Sequence, residues 1–191
     1  MIKRRDEISA VILAGGQSRR MGSNKALLPI GNITFIARII NTLQRRFSNI
    51  YISANNPEEY EVLKRPVIID IFRGYGPLAG IHAALKNIPT EYAFTVSCDV
   101  PFISTDVIDT LVDAVESETI LIADDGQRLH PLIGIYPRSV YNHLDEYLQN
   151  NEKQVHMFLD GMKHKRIDVS QYQDAVKNIN TIEEYERIIR R

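Results

Sequence analysis

An α/β fold built on a mostly parallel sheet, with helices on both of its faces, is what the patterning of this chain implies. Two features lead there. In the first half, short apolar runs without helical period alternate with segments whose apolar residues recur every three or four positions. The glycines, prolines and charged residues that interrupt this pattern fall just after the apolar runs, in the connections leading from strand to helix. In an open parallel sheet such connections gather outside the carboxyl ends of the strands, where ligands bind.

The elements follow in order. Ser9 to Leu13 is a short apolar run and reads as a buried strand. Ile33, Ile36, Ile39, Ile40, Leu43 and Phe47 recur at helical spacing. Asn49 to Ser53 reads as a second strand, and Pro57 opens a short helix, its fixed φ suiting a first helical position. Val67 to Ile69 is a third strand, Leu78 to Leu85 a helix, and Tyr92 to Val96 a fourth strand. Ser104 caps a helix marked by Val107, Ile108, Leu111, Val112 and Val115. Thr119 to Ala123 and Pro131 to Tyr136 are further strands, and Pro137 to Gln149 a helix. A capping-box pattern, Thr181-Ile-Glu-Glu184, starts a final helix carrying Ile182, Tyr185, Ile188 and Ile189. No repeat or linker interrupts the series, so residues 1–191 are expected to form one domain.

Composition narrows the function classes. With 44% hydrophobic and 25% charged residues the chain is an ordinary globular one. A formal net charge of −1 gives no field for nucleic acid or an anionic membrane, so an anionic ligand must be drawn by a local cluster. One cysteine, Cys98, excludes an internal disulfide framework and suits a reducing, cytoplasmic setting. The five histidines include none at zinc spacing with a cysteine. No apolar run approaches the roughly 20 residues of a membrane helix. Met1 to Glu7 is charged and reads as a frayed leader, not a signal peptide.

Four of the strand-to-helix connections carry chemistry: Ala14 to Lys25, Ser53 to Asn56, Asp70 to Gly80 and Ser97 to Pro101. After the first strand come Ala14, Gly15, Gly16, then Arg19, Arg20 and Lys25. Glycines let backbone approach a ligand closely, successive N–H groups can cradle phosphate oxygens, and three cations complement them. The loop is neither a Walker A sequence nor a dinucleotide fingerprint. Asp99, after the fourth strand, faces that loop across one crevice. It can hold magnesium, which takes one or two carboxylates beside phosphates and water, or it can cap the next helix. Asp70, at the third strand's end, can bind nucleotide or metal or cap a turn. Gly76-Pro-Leu-Ala-Gly80 is a rigid turn into a helix, or a plain connection. Later, Arg128, His130 and Pro131 precede a strand, and a lone histidine is more often structural than catalytic. Asn178 and Asn180 precede the last helix, an ordinary place for Asn. Cys98 fits a small core residue better than a nucleophile.

Taken together these residues resemble the molybdenum cofactor guanylyltransferase family, a MobA-type nucleotidyltransferase group. The elements are Leu13-Ala-Gly-Gly-x-Ser-x-Arg20-Met-Gly-x-x-Lys25, Asp70, Gly76-Pro-Leu-Ala-Gly80, Cys98-Asp99-x-Pro101, His130-Pro131 and Asn178-x-Asn180-Thr181, in the family's order over nearly the whole chain. The resemblance implies a Rossmann-like three-layer α/β/α sandwich of the nucleotide-diphospho-sugar transferase kind, working in the cytoplasm. It implies transfer of GMP from Mg-GTP to the terminal phosphate of Mo-molybdopterin, giving the guanine dinucleotide cofactor and pyrophosphate. By the same resemblance Leu13, Ala14, Gly15, Lys25, Asp70 and Asp99 contact GTP, and Asp99 also binds Mg2+. Lys25, Arg20 and Asp99 carry catalysis, and His130, Asn178 and Asn180 face the cofactor substrate. Other molybdenum cofactor biosynthesis proteins and molybdoenzymes are the implied partners. Members often have Asn after the second strand, where this chain has Ser53, which puts a GTP contact there in doubt.

An ionised acceptor phosphate, with a second pKa near about 6, needs no general base, so positioning and charge neutralisation suffice. Rival readings are a cytidylyltransferase for the same cofactor, a sugar-phosphate nucleotidyltransferase, and a signalling module with Asp99 as phosphoacceptor. The basic first loop argues against the last, because receiver sites gather carboxylates there.

Overall fold

The computed structural model of the chain describes residues 5–15 and 24–189. In chain order its elements are β1 (Ile8–Leu13), β2 (Pro29–Ile30), β3 (Ile33–Thr34), α1 (Phe35–Leu43), β4 (Ile50–Ser53), β5 (Val67–Ile68), α2 (Pro77–Asn87), β6 (Tyr92–Ser97), α3 (Thr105–Asp113), β7 (Ile120–Asp124), β8 (Leu129–Pro137), α4 (Tyr141–Gln149), α5 (Val155–Asp160), β9 (His164–Asp168) and α6 (Ile182–Ile189). Seven strands form the main sheet in the order β5-β4-β1-β6-β8-β7-β9. All run parallel except β8, which pairs antiparallel with both β6 and β7.

The expected mostly parallel sheet with helices on both faces is thus present. β1 shows why. All six of its residues are buried, as a strand covered on both sides requires. Ala10 and Ile12 pack with the α1 and α3 side chains Ile36, Ile39, Val107 and Leu111. Val11 and Leu13 face the other way, into a core shared with α2, α4 and α5 through Leu78, Leu144 and Phe158. Alternate residues of one strand therefore anchor two helical layers.

β1 lies between β4 and β6, so the chain leaves it first to one side and later to the other. That reversal marks a crevice outside the carboxyl ends of β1 and β6, the usual ligand position in such sheets. The six parallel strands end on this edge, and so does the β7–β8 turn, where Ala123 pairs with His130 and Asp124 with Leu129.

Several boundaries differ from the sequence reading. Ile33 belongs to a two-stranded ribbon with Ile30, and α1 starts at Phe35 behind the capping hydroxyl of Thr34, which accepts from the Ala37 N–H at 3.3 Å. Pro137 does not open a helix. It ends β8, its φ of −74° and ψ of 148° being extended, and α4 begins only at Tyr141. Arg138 fixes the change of direction: its backbone N–H reaches Glu91 O at 2.8 Å, and its guanidinium donates to Thr90 O at 2.6 Å. β9 and α5 had no sequence counterpart. β9 is an edge strand of sequence His-Lys-Arg-Ile-Asp with only Ile167 buried, so it lacks an apolar alternation.

Candidate active site

Two clusters form where the parallel strands end. The first is built on Asp99. Leaving β6, the chain stays tied to β1 through the Cys98 N–H, which donates to Leu13 O at 3.1 Å. The Asp99 backbone carbonyl then accepts from the Ile179 N–H at 2.8 Å, and its Oδ1 accepts from Asn178 Nδ2 at 2.9 Å. Its Oδ2 lies 3.6 Å from Lys25 Nζ, which also donates to Asn180 Oδ1 at 3.2 Å. These two charged side chains retain only 12% and 17% of their exposure, so solvent screens the pair less than a surface ion pair. Residues distant in sequence, Lys25, Asp99, Asn178 and Asn180, thus form one polar group.

Local structure explains the placement. Asn24 Oδ1 accepts from the Ala26 N–H at 3.0 Å and caps the helical turn carrying Lys25. Asn24 Nδ2 donates to Glu59 and, at 2.9 Å, to the Tyr60 hydroxyl. That hydroxyl reaches Ala14 O at 3.4 Å, so one buried phenol touches the residues at either end of segment 15–23. Burial pushes the Tyr60 pKa up to about 12, which keeps it a neutral donor. On the opposite side the expected capping box forms. Glu184 Oε2 accepts from the Asn180 and Thr181 N–H groups at 2.6 and 3.1 Å, and Thr181 Oγ1 accepts from the Glu184 N–H at 3.2 Å. The Asn180 N–H bond outweighs burial and holds the Glu184 carboxyl below its ordinary range, with Thr181, Lys177 and Lys25 adding to it.

The second cluster is built on Asp70, just beyond β5. Asp70 is buried, and its Oδ1 and Oδ2 accept from Ser53 Oγ and Asn55 Nδ2, each at 3.1 Å. Burial raises the Asp70 carboxyl, against these two bonds and the charges of Arg73 and His82. Gly15 passes close overhead: a Cβ there would stand 3.1 Å from Asp70 Oδ2. Here the absence of a side chain permits close approach. Ser53 is therefore occupied with Asp70, and an amide on the same carboxylate comes from Asn55, two residues later in the Ser53 to Asn56 connection. Its carboxylate partner fixes the amide orientation and leaves a buried Asn55 Oδ1 with no hydrogen-bond partner among the described residues.

The Gly76 to Gly80 turn is more than a connection. Gly76 sits at φ +73° before α2, a left-handed conformation that favours glycine. A Cβ at Gly80 would stand 2.5 Å from Ser53 Oγ and 3.1 Å from Leu13 Cδ2. Gly80 thus lets α2 lie directly on the ends of β1 and β4.

Of the other expected site residues, Leu13 and Ala14 are at the end of β1, where the Ala14 N–H donates to Ser53 O at 2.8 Å. Arg20 lies outside the described residues. His130 is buried near the start of β8, and its Nε2 meets Asp125 Oδ2, in the β7–β8 turn, at 2.7 Å. Burial alone would raise the Asp125 carboxyl, but His130 and the Gln127 and Arg128 N–H groups outweigh it and hold it at about 2. Cys98 is driven the other way, its thiol pushed up to about 12 by burial and the neighbouring Asp99, which leaves no thiolate for nucleophilic chemistry at neutral pH.

Among the described residues no group of three His, Cys, Asp or Glu side chains is arranged to hold a metal. A permanently caged ion does not fit, but magnesium carried by a triphosphate does. It needs one or two carboxylates, and Asp99 presents Oδ2 at the crevice beside a cation suited to phosphate.

Comparisons with known proteins identify the family and the fold. The model of the MobA-like NTP transferase domain matches residues 10–167. A probable molybdenum cofactor guanylyltransferase of Clostridium perfringens is 38% identical, over 96% of each chain. A molybdenum cofactor guanylyltransferase of Yersinia pestis is 35% identical over 91% of each. Among solved structures, the molybdopterin-guanine dinucleotide biosynthesis protein A of Archaeoglobus fulgidus superposes with a TM-score of 0.81 at 20% identity, covering 95% of this chain and 97% of that one. A nucleotidyl transferase from Methanothermobacter gives 0.75 at 20% identity, over 96% of each. At that identity the structures speak for the shared fold.

Proposed function

The chain belongs to the MobA-like NTP transferase family and, within it, to the molybdenum cofactor guanylyltransferases, and from that premise we propose that it transfers GMP from GTP to the terminal phosphate of molybdenum-loaded molybdopterin. A phosphate oxygen of the acceptor bonds to the α-phosphorus of GTP, the bond to the β-phosphate oxygen breaks, and pyrophosphate leaves. The observation that carries this reading is the Lys25–Asp99 pair, a cation and a carboxylate held together by Asn178 and Asn180 at the sheet's carboxyl edge.

Leu13, Ala14 and Gly15 offer backbone to the nucleotide, and Asp70, braced by Ser53 and Asn55, offers a buried acceptor. Lys25, and Arg20 earlier in the same connection, neutralise the triphosphate as charge moves to the leaving group. Asp99 holds Mg2+, which supplies Lewis-acid polarisation of the phosphates. Asn178 and Asn180 face the acceptor, and His130 acts there through the turn it fixes with Asp125. The acceptor's ionised phosphate requires no deprotonating base. The single cysteine, Cys98, supports a reducing, cytoplasmic setting for this reaction. No helix among the described residues is long and apolar enough to cross a membrane.

The test is product analysis. With GTP, magnesium and the phosphorylated acceptor, the guanine dinucleotide and pyrophosphate are expected in equal amounts. Release of orthophosphate without a dinucleotide contradicts the reading, and a cytosine dinucleotide formed preferentially from CTP corrects it to cytidylyl transfer.

A further inference from the structure

Between β4 and β5 the residues Pro57–Leu63 wind into a short 3-10 helix, with Pro57 at its first position. The helix exposes Glu58 and Val62 and turns Tyr60 inward, where the residue is 2% exposed and packs into the apolar core on the α1 side of the sheet. A phenol hydroxyl at that depth needs polar partners for its proton and its lone pairs. Asn24 settles which partner takes which. Its Oδ1 accepts from the Ala26 N–H at 3.0 Å, so the oxygen faces the turn of Lys25 and the amide nitrogen faces the other way. That nitrogen can only donate, and it donates to the Tyr60 hydroxyl at 2.9 Å and to Glu59 Oε2. Glu59 is braced in turn by Asn56 Nδ2, which donates to Oε1 at 2.9 Å. The hydroxyl is thereby an acceptor toward Asn24, and its one proton goes to Ala14 O at 3.4 Å.

Ala14 and Asn24 therefore meet on one oxygen atom. Each borders a residue expected at the nucleotide, Gly15 on one side and Lys25 on the other. The Ala14 N–H is engaged with Ser53 O at 2.8 Å and its carbonyl with the phenol, so both polar groups of Ala14 are fixed. A trans peptide sets the next N–H opposite the carbonyl, so the Gly15 N–H points away from the buried phenol. On the other side, the cap that orients Asn24 also starts the turn from which Lys25 reaches Asp99 at 3.6 Å.

We propose that Tyr60 is a positioning residue for the nucleotide: its hydroxyl, bridging Ala14 O and Asn24 Nδ2, sets the Gly15 backbone and the Lys25 ammonium in register with each other so that both meet one nucleoside triphosphate. This rests on the function proposed above, in which Gly15 and Lys25 contact GTP. Tyr60 itself touches no substrate and acts through Ala14 and Asn24. The effect of losing the hydroxyl exceeds that of one hydrogen bond, because a misplacement of about 1 Å at a reacting group costs up to about 10²-fold in rate.

The experiment compares wild type, Tyr60→Phe, Asn24→Ser and the double variant. It reads the melting temperature and then, well below every melting point, the Kd of Mg-GTP by calorimetry and kcat/KM for GTP in GMP transfer. Phenylalanine keeps the ring in the core and removes only the hydroxyl. Serine keeps an oxygen for the Ala26 N–H and removes the amide that reaches Tyr60 and Glu59. Tyr60→Phe is expected to raise the Mg-GTP Kd about tenfold and to lower kcat/KM by at least that factor, because Lys25 acts on the developing charge. Asn24→Ser is expected to shift both in the same direction. The double variant is expected to lose less than the product of the single losses, since both act on one hydroxyl. A Tyr60→Phe protein that melts lower but binds and turns over GTP as wild type does overturns the proposal, as do single losses that simply multiply. Failure of the wild type to transfer GMP while it binds GTP defeats the functional reading instead, and the ratio of Kd values then decides the role of Tyr60 by itself.

Discussion

Lys25 and Asp99 are held within 3.6 Å of each other by partners 155 and 79 positions away in the chain, Asn180 and Asn178. If the pair works as proposed, Asp99→Asn keeps the shape and an oxygen for Asn178 Nδ2 but loses the charge that holds magnesium. It is expected to melt near wild type and to lose most turnover. Lys25→Ala is expected to lose about 10²–10³ in rate, the usual cost of one electrostatic contact to a developing charge. Steady-state kinetics across a magnesium titration check both, and near-normal rates for Asp99→Asn at low magnesium contradict the metal assignment. Asp70 gives a second prediction. Its folded pKa is raised by burial, so the native state binds the proton more tightly than the unfolded chain, and stability falls as pH rises through the interval between the two values. Asp70→Asn removes that cost, and Asn55 can turn its unpartnered oxygen toward the new amide. The variant is expected to melt at or above wild type at pH 8 while binding GTP more weakly. A lower melting temperature at pH 8 in thermal scans contradicts this. The types of these residues were readable from the chain, because Asp70 and Asp99 stand just after strands and Lys25 lies in the cationic connection that follows the first. Their partners were not: Asn55, Asn24 and Tyr60 act through contacts made by folding, and Ser53 looked like a lost ligand until its bond to Asp70 was seen.

Helix α2 connects the site to the frame. Its first turn must lie against Ser53 and Leu13, and Gly80 is the residue that permits it. Gly80→Ala is expected to displace Ser53, break its bond to Asp70, and cost about 1–3 kcal/mol of stability, as overpacking does. Removing the obstructing hydroxyl tests the cause. In a double-mutant cycle, Gly80→Ala in a Ser53→Ala background is expected to cost less than in wild type, and strict additivity of the two changes contradicts the contact. Elements with strong periodicity, β1 and α3 among them, were legible because burial on one or two faces leaves a regular pattern. β9 was not, because an edge strand with one buried residue carries none. The start of α4 was misplaced because Pro137 suits an extended residue as well as a first helical one.

The order of the strands turns these local features into one site. β1 between β4 and β6 brings the Gly15, Asp70 and Asp99 loops to one edge, and the return after β9 carries Asn178 and Asn180 across to meet them. The parallel sheet and its ligand edge followed from the alternation of strand and helix, whereas the antiparallel β8 and the closing role of segment 174–181 required the folded chain. The claim that this edge binds a magnesium-bound guanine nucleotide is tested most directly by calorimetric titration of the protein with GTP and with CTP, each with and without magnesium. The account predicts that Mg-GTP binds measurably, that CTP binds far more weakly, and that withholding magnesium weakens GTP. Equal affinities for GTP and CTP, or GTP binding indifferent to magnesium, would contradict it.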